Sequence, residues 1–113
     1  MKQGDIILTP IPQADGKLKK RPAILLAEMP GYGDFLACGV STQLHHYIEG
    51  FDDIISPEDE DFNLSGLTTE SLIRLGFLAV LPKSNILGTI GSISIKRHKN
   101  LLKNLCNYLI RNT

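Results

Sequence analysis

The fold turns on the stretch Arg21-Pro22-Ala23-Ile24-Leu25-Leu26-Ala27. Residues Ala23 to Ala27 are apolar at every position. A strand sends successive side chains to opposite faces, so an unbroken apolar run predicts a strand buried on both. Arg21 stands at the mouth of that run, behind a polar segment that carries Lys17, Lys19 and Lys20. An unpaired guanidinium is costly to bury and is a good ligand for phosphate. A cation fixed at the start of a rigid strand is therefore either an ion-pair partner or a phosphate-binding group. From this position alone both readings stand.

Working outward, Asp5 to Ile11 reads as a short strand closed by prolines, and Pro12 to Lys20 as a loop with Asp15-Gly16 as its turn. Pro30 to Asp34 is a second turn. Phe35 to Val40 is a third strand that runs into Ser41-Thr42-Gln43. Such close spacing predicts antiparallel pairing, because parallel strands need long crossovers. Leu44 to Asp61 is polar and holds seven carboxylates between Glu49 and Asp61. It reads as a solvated loop in which Ile54-Ile55 forms a short strand. Ser71 to Leu81 contains one or two strands around Gly76 and ends at Pro82. Ile86 to Ile93 is a last short strand with a tight turn.

Only the C-terminus reads as helix. Ser94 is the expected N-cap. Ile95, His98, Leu101, Leu102, Leu105 and Leu109 recur at spacings of three and four and define an apolar face. Lys96, Arg97, Lys99, Lys103 and Asn104 fall on the other. His98 is expected to be a half-buried helix residue rather than a ligand. The predicted architecture is mainly β, a small barrel of about five to seven short strands closed by one C-terminal helix.

The 113 residues suffice for one domain, residues 1–113, with a single core. Twelve basic and 12 acidic residues cancel to zero net charge, which argues against strong non-specific nucleic-acid binding while leaving room for a local basic patch. Cys38 and Cys106 lie in apolar segments and are expected to be reduced core residues. Neither shows a CxxC or Cys/His spacing, so no metal or cofactor is predicted. No long apolar run follows Met1-Lys2-Gln3-Gly4-Asp5, and no segment reaches the roughly 20 apolar residues of a membrane span. A cytoplasmic protein without a membrane partner is expected.

No nucleophile motif, glycine-rich phosphate loop or metal triad appears. His45 and His46 are adjacent, so in extended chain they point to opposite sides; a single one is either an acid/base near neutral pH or loop surface. The hydroxyls of Ser41 and Thr42 end an apolar strand. Held at such a rim they either orient a phosphate or a 2′-hydroxyl, or bond their own backbone.

Gly4-Asp5-Ile6, Lys20-Arg21-Pro22-Ala23-Ile24-Leu25 and Val40-Ser41-Thr42-Gln43 follow the order and spacing of the MazF/PemK toxins, which the chain resembles along essentially its whole length. Gly66-Leu67 through Ser71-Leu72-Ile73-Arg74 looks like that family's next segment. Gly88 to Ser92 and the terminal helix look like its closing elements. The resemblance implies an SH3-like small barrel of the MazF/PemK/CcdB kind that forms a homodimer. It implies a metal-independent endoribonuclease, an mRNA interferase of a type II toxin–antitoxin system. Such an enzyme cuts single-stranded RNA through a 2′,3′-cyclic phosphate and is neutralised by a cognate antitoxin laid across the RNA groove.

The resemblance also implies residue roles. Arg21 occupies the place of the catalytic arginine of an Arg-Pro motif. Ser41 takes that of the catalytic threonine, and Thr42 that of its neighbour. Serine keeps the hydroxyl but loses the methyl group that restricts the rotamer. Lys17, Lys19, Lys20, Gln43 and Arg74 are the implied RNA-binding residues. Where some relatives carry a carboxylate this chain has Ser71, with Glu70 beside it, so Glu70 and His45 are the acid/base candidates. The alternative is a non-catalytic CcdB-like or degenerate member that acts by protein binding.

Overall fold

The computed structural model describes residues 1–12 and 14–113; Gln13, within the predicted loop, lies outside them. Among the described residues six strands form one sheet: β1 (Asp5–Pro12), β2 (Leu18–Glu28), β3 (Phe35–Ser41), β4 (Asp53–Ile55), β5 (Ser71–Leu81) and β6 (Gly88–Ser92). Their order is β4-β5-β3-β2-β1-β6, and every neighbouring pair is antiparallel. The sheet curls into a half-barrel, the small-barrel architecture expected, with the helix α2 (Ile95–Arg111) against it.

β2 is buried on both faces, as its unbroken apolar run requires. Ile24 and Leu26 join Ile6, Val40, Ile73 and Leu75 in one apolar cluster, which Leu101 and Leu105 of α2 cover. Ala23 and Leu25 belong to a second cluster with Ile7, Phe35, Ala37 and Leu81. The strand is thus a wall between two apolar compartments.

The first hairpin is longer than its apolar residues suggest. β1 continues to Pro12 and β2 starts at Leu18, so Lys19 pairs with Ile11 and Lys20 with Pro10. Backbone pairing extends the strands past the last buried side chain, and the predicted loop shrinks to the turn, where the Lys17 N–H donates to the Asp15 carboxylate at 2.9 Å. Ser71 to Leu81 is a single strand.

The acidic segment is not a solvated loop. Asp52 and Asp61 are buried. Arg97, expected on the solvent face of α2, donates to Asp53 at 2.7 Å, Asp59 at 2.9 Å and Asp61 at 2.9 Å. Ser94 is the N-cap, accepting the Arg97 N–H, while its own N–H donates to Asp61. The carboxylates therefore tie the start of α2 to the sheet edge. Between the acidic segment and β5 lies α1 (Phe62–Ser65), a single helical turn that the sequence pattern does not reveal. Gly66 caps it with φ of 73°. A Cβ at Gly66 would strike the Ile90 backbone, and one at Gly91 the Leu64 and Ser65 backbone, so α1 and β6 touch main chain to main chain.

The apolar face of α2 is narrower than its spacing implies. Leu101 and Leu105 are buried, but Ile95 and Leu109 are exposed. A helix of 17 residues is about 26 Å long and overhangs the cluster at both ends. Cys38 is buried, as expected, whereas Cys106 is exposed. His98 is half-buried, its Nε2 2.7 Å from the Leu26 carbonyl oxygen. No helix among the described residues is long and apolar enough to cross a membrane.

Candidate active site

β2 and β3 pair with Ala23 opposite Gly39. Two residues further along each strand lie Arg21 and Ser41, on the same sheet face as that pair. β5 lies beyond β3 and sets Arg74 opposite Gly39. The result is a groove of about 240 Å³ lined by Arg21, Pro22, Ser41, Thr42, Gln43 and Arg74, with Ile11, Gly39, Val40 and Phe77 as its apolar part. Three positions far apart in sequence converge because antiparallel pairing places them on adjacent strands.

The hydroxyl of Ser41 is pre-oriented. Its Oγ accepts the Gln43 N–H at 3.0 Å, so the backbone bond anticipated for a strand-end hydroxyl is present. That bond occupies an acceptor lone pair and leaves the O–H free to donate. Behind it, residues Leu44–His46 form a 3-10 turn, in which the Leu44 N–H donates to the Thr42 carbonyl at 3.0 Å. Arg21, Thr42 and Gln43 are exposed, and Ser41 and Arg74 are half-buried.

The remaining predicted residues stand outside this lining. Glu70 is turned to the segment just after β4, where its carboxylate accepts the Ser56 hydroxyl at 2.6 Å. Ser71 is buried and donates to the Thr69 carbonyl at 2.9 Å. His45 and His46 do not point apart as extended chain would have them. The 3-10 turn brings their rings to 4.2 Å, in an exposed pair beyond the groove. Alternation along β2 sets Lys19 on the face of Arg21 and Lys20 on the other, and both are exposed. Neither carboxylate nor imidazole lines the groove among the described residues.

Phe77 and Gly39 escaped the sequence reading. Both sit in apolar runs that read as ordinary strand. The signal that would have exposed them is the glycine at 39 facing an aromatic, visible only once β3 and β5 are paired.

The fold is that of a small half-barrel protein, and its groove gathers two guanidinium groups and two hydroxyls at the strand ends. A family profile described as PemK-like, MazF-like toxin of type II toxin–antitoxin system matches residues 2–109. The chain belongs to that family, whose members are endoribonucleases. Two solved structures share its fold. One is an endoribonuclease in complex with its cognate antitoxin from a mycobacterial species, with a TM-score of 0.69 and 12% identity, covering 96% of this chain and 94% of that one. The other is the Mycobacterium tuberculosis toxin MazF-mt6, with a TM-score of 0.67 and 16% identity, covering 93% of this chain and 95% of that one. No match was found among curated proteins.

Proposed function

We propose that the chain cleaves single-stranded RNA without a metal ion, using Arg21, Ser41 and Thr42. The observation that carries this reading is the gathering of Arg21, Ser41, Thr42, Gln43 and Arg74 on one groove. The RNA 2′-oxygen attacks the adjacent phosphorus as the bond to the 5′-oxygen breaks. The 2′-hydroxyl releases its proton to solvent water and the leaving 5′-oxygen takes one from water, so no proton is gained or lost overall. The products are a 2′,3′-cyclic phosphate and a 5′-hydroxyl. The nucleophile comes from the RNA itself, so the protein need not activate water.

Arg21 neutralises charge developing on the non-bridging oxygens. Ser41 donates a hydrogen bond from its O–H to one of them, and with Thr42 holds the phosphate in line. Gln43 and Arg74 hold the flanking backbone, and Lys17, Lys19 and Lys20 guide the strand electrostatically. With Glu70 and His45 outside the groove, the rate enhancement rests on positioning and electrostatics. A cognate antitoxin tail covers the same groove, and two copies of the chain associate.

The test is incubation of purified protein with a long single-stranded RNA in EDTA. Discrete fragments ending in cyclic phosphate are expected, and Arg21→Ala should form them at least about 100-fold more slowly. Cleavage by Arg21→Ala at the wild-type rate would remove Arg21 from the mechanism.

A further inference from the structure

β5 departs from regular pairing at one place. Cys38 pairs with Leu78, but the next residue, Gly39, pairs with Arg74. One step along β3 thus corresponds to four along β5, and Leu75, Gly76 and Phe77 form a bulge. The bulge is well supported. Leu75 is fully buried, and its N–H donates to the Asp52 carboxylate at 3.0 Å. The other oxygen of this buried carboxylate accepts the Ile48 N–H at 3.0 Å.

The bulge delivers Phe77 to the groove. Its ring lies against Gly39, where a Cβ would stand 3.0 Å from Cδ1. The Arg74 guanidinium carbon sits 5.9 Å from the ring centroid, within cation–π range. Phe77 nevertheless keeps 45% of its surface exposed. It lines both the Arg21–Ser41 groove and an adjoining apolar cavity of about 280 Å³ floored by Ala23, Ala37 and Ala79. A phenyl ring that leaves nearly half its surface in water beside a guanidinium adds little to folding. Its setting matches a single-stranded nucleic acid, in which charged phosphates alternate with flat bases.

We infer that Phe77 is a stacking platform for a nucleobase next to the scissile phosphate, an inference that rests on the RNA-cleaving reading above. Every base has a π-face, so Phe77 supplies affinity and registers the strand without selecting a sequence. Arg74, already beside the ring, pairs with the phosphate that follows the stacked base.

The chain contains no tryptophan, so Phe77→Trp introduces a single fluorophore at this point. The probe is a short RNA carrying 2′-O-methyl groups, which binds without being cut. Its addition should quench the Phe77→Trp emission, and an abasic site at one position of the strand should abolish the quench. By anisotropy, Phe77→Tyr should bind within about twofold of wild type. Phe77→Leu, which keeps an apolar side chain but cannot stack, should bind about tenfold more weakly across unrelated sequences. Wild-type affinity in Phe77→Leu, or unquenched emission with the RNA fully bound, overturns the inference and leaves the nuclease reading intact. Retained RNA affinity with lost affinity for an acidic antitoxin would make Phe77 a protein contact and overturns it too. Failure of the wild-type chain to bind any RNA would bring down both.

Discussion

Arg21 and Ser41 each lie two residues beyond the Ala23–Gly39 pair on neighbouring antiparallel strands, and both line one groove. Nothing in their sequence separation suggests this. The hairpin between β2 and β3 creates it, and the rigidity of β2, packed on both faces, keeps it fixed.

Arg21→Ala should slow cleavage of single-stranded RNA by about 10²- to 10³-fold. Arg21→Lys should recover only part of the loss, because an ammonium lacks the planar fork that grips two phosphate oxygens.

Replacing the serine hydroxyl tests a different contribution. Ser41→Ala removes both the donor to phosphate and the acceptor of the Gln43 N–H. A loss of about tenfold in kcat is expected, that of a hydrogen bond to a charged group. Ser41→Thr should restore the rate, since its branched side chain restricts the hydroxyl rotamer. Single-turnover kinetics at saturating RNA would decide.

Arg97 is the stability counterpart of Arg21. Arg97→Ala leaves the buried Asp61 carboxylate without its cation and should cost about 3 kcal/mol, read as a lowered urea midpoint.

The same cluster predicts an acid limb. Burial pushes the Asp61 carboxyl up, but the Arg97 side chain, the Ser94 N–H and the Arg97 charge outweigh that and hold it below the usual carboxylate range. A carboxylate whose folded pKa lies below its unfolded value adds stability above about pH 4 and loses it as pH falls through the folded value. Thermal unfolding should therefore occur at a steady temperature down to about pH 5 and at falling temperature below about pH 4. In Arg97→Met that decline should be shallower. An equal decline in both proteins would assign the acid sensitivity to other groups.

The two thiols should differ in reactivity. Burial pushes the Cys38 thiol up to about 12, while Cys106 is exposed on α2. Titration of the native protein with a thiol reagent near pH 8 should find one reactive group per chain, and two after denaturation.

The sequence carried the elements whose signal is local. The apolar run 23–27 announced a two-faced strand, Ser94 announced the helix start, and the Arg-Pro and Ser-Thr pairs lay at strand ends where a site can form. The long-range polar pairs were not legible. Arg97 looked like a solvent-facing helix residue and Asp61 like a loop acid, and only folding across 36 residues joins them. The bulge at Leu75–Phe77 was hidden for a similar reason. A run of apolar residues shows no change of face until its partner strand is known. Cys106 and Leu109 sit in an apolar sequence but on parts of α2 that the sheet does not reach.

The wall formed by β2 divides the protein's labour. The compartment under α2 is sealed, and changes there will register as altered melting behaviour. The opposite compartment opens beside Phe77 into the cavity lined by Ala23 and Ala37. Ile24 and Leu25 are chain neighbours, yet their side chains fill separate apolar compartments. The even-numbered side chains of β2 face the helix side of the core, while the odd-numbered ones run from the buried Leu25 through Ala23 to Arg21 at the groove.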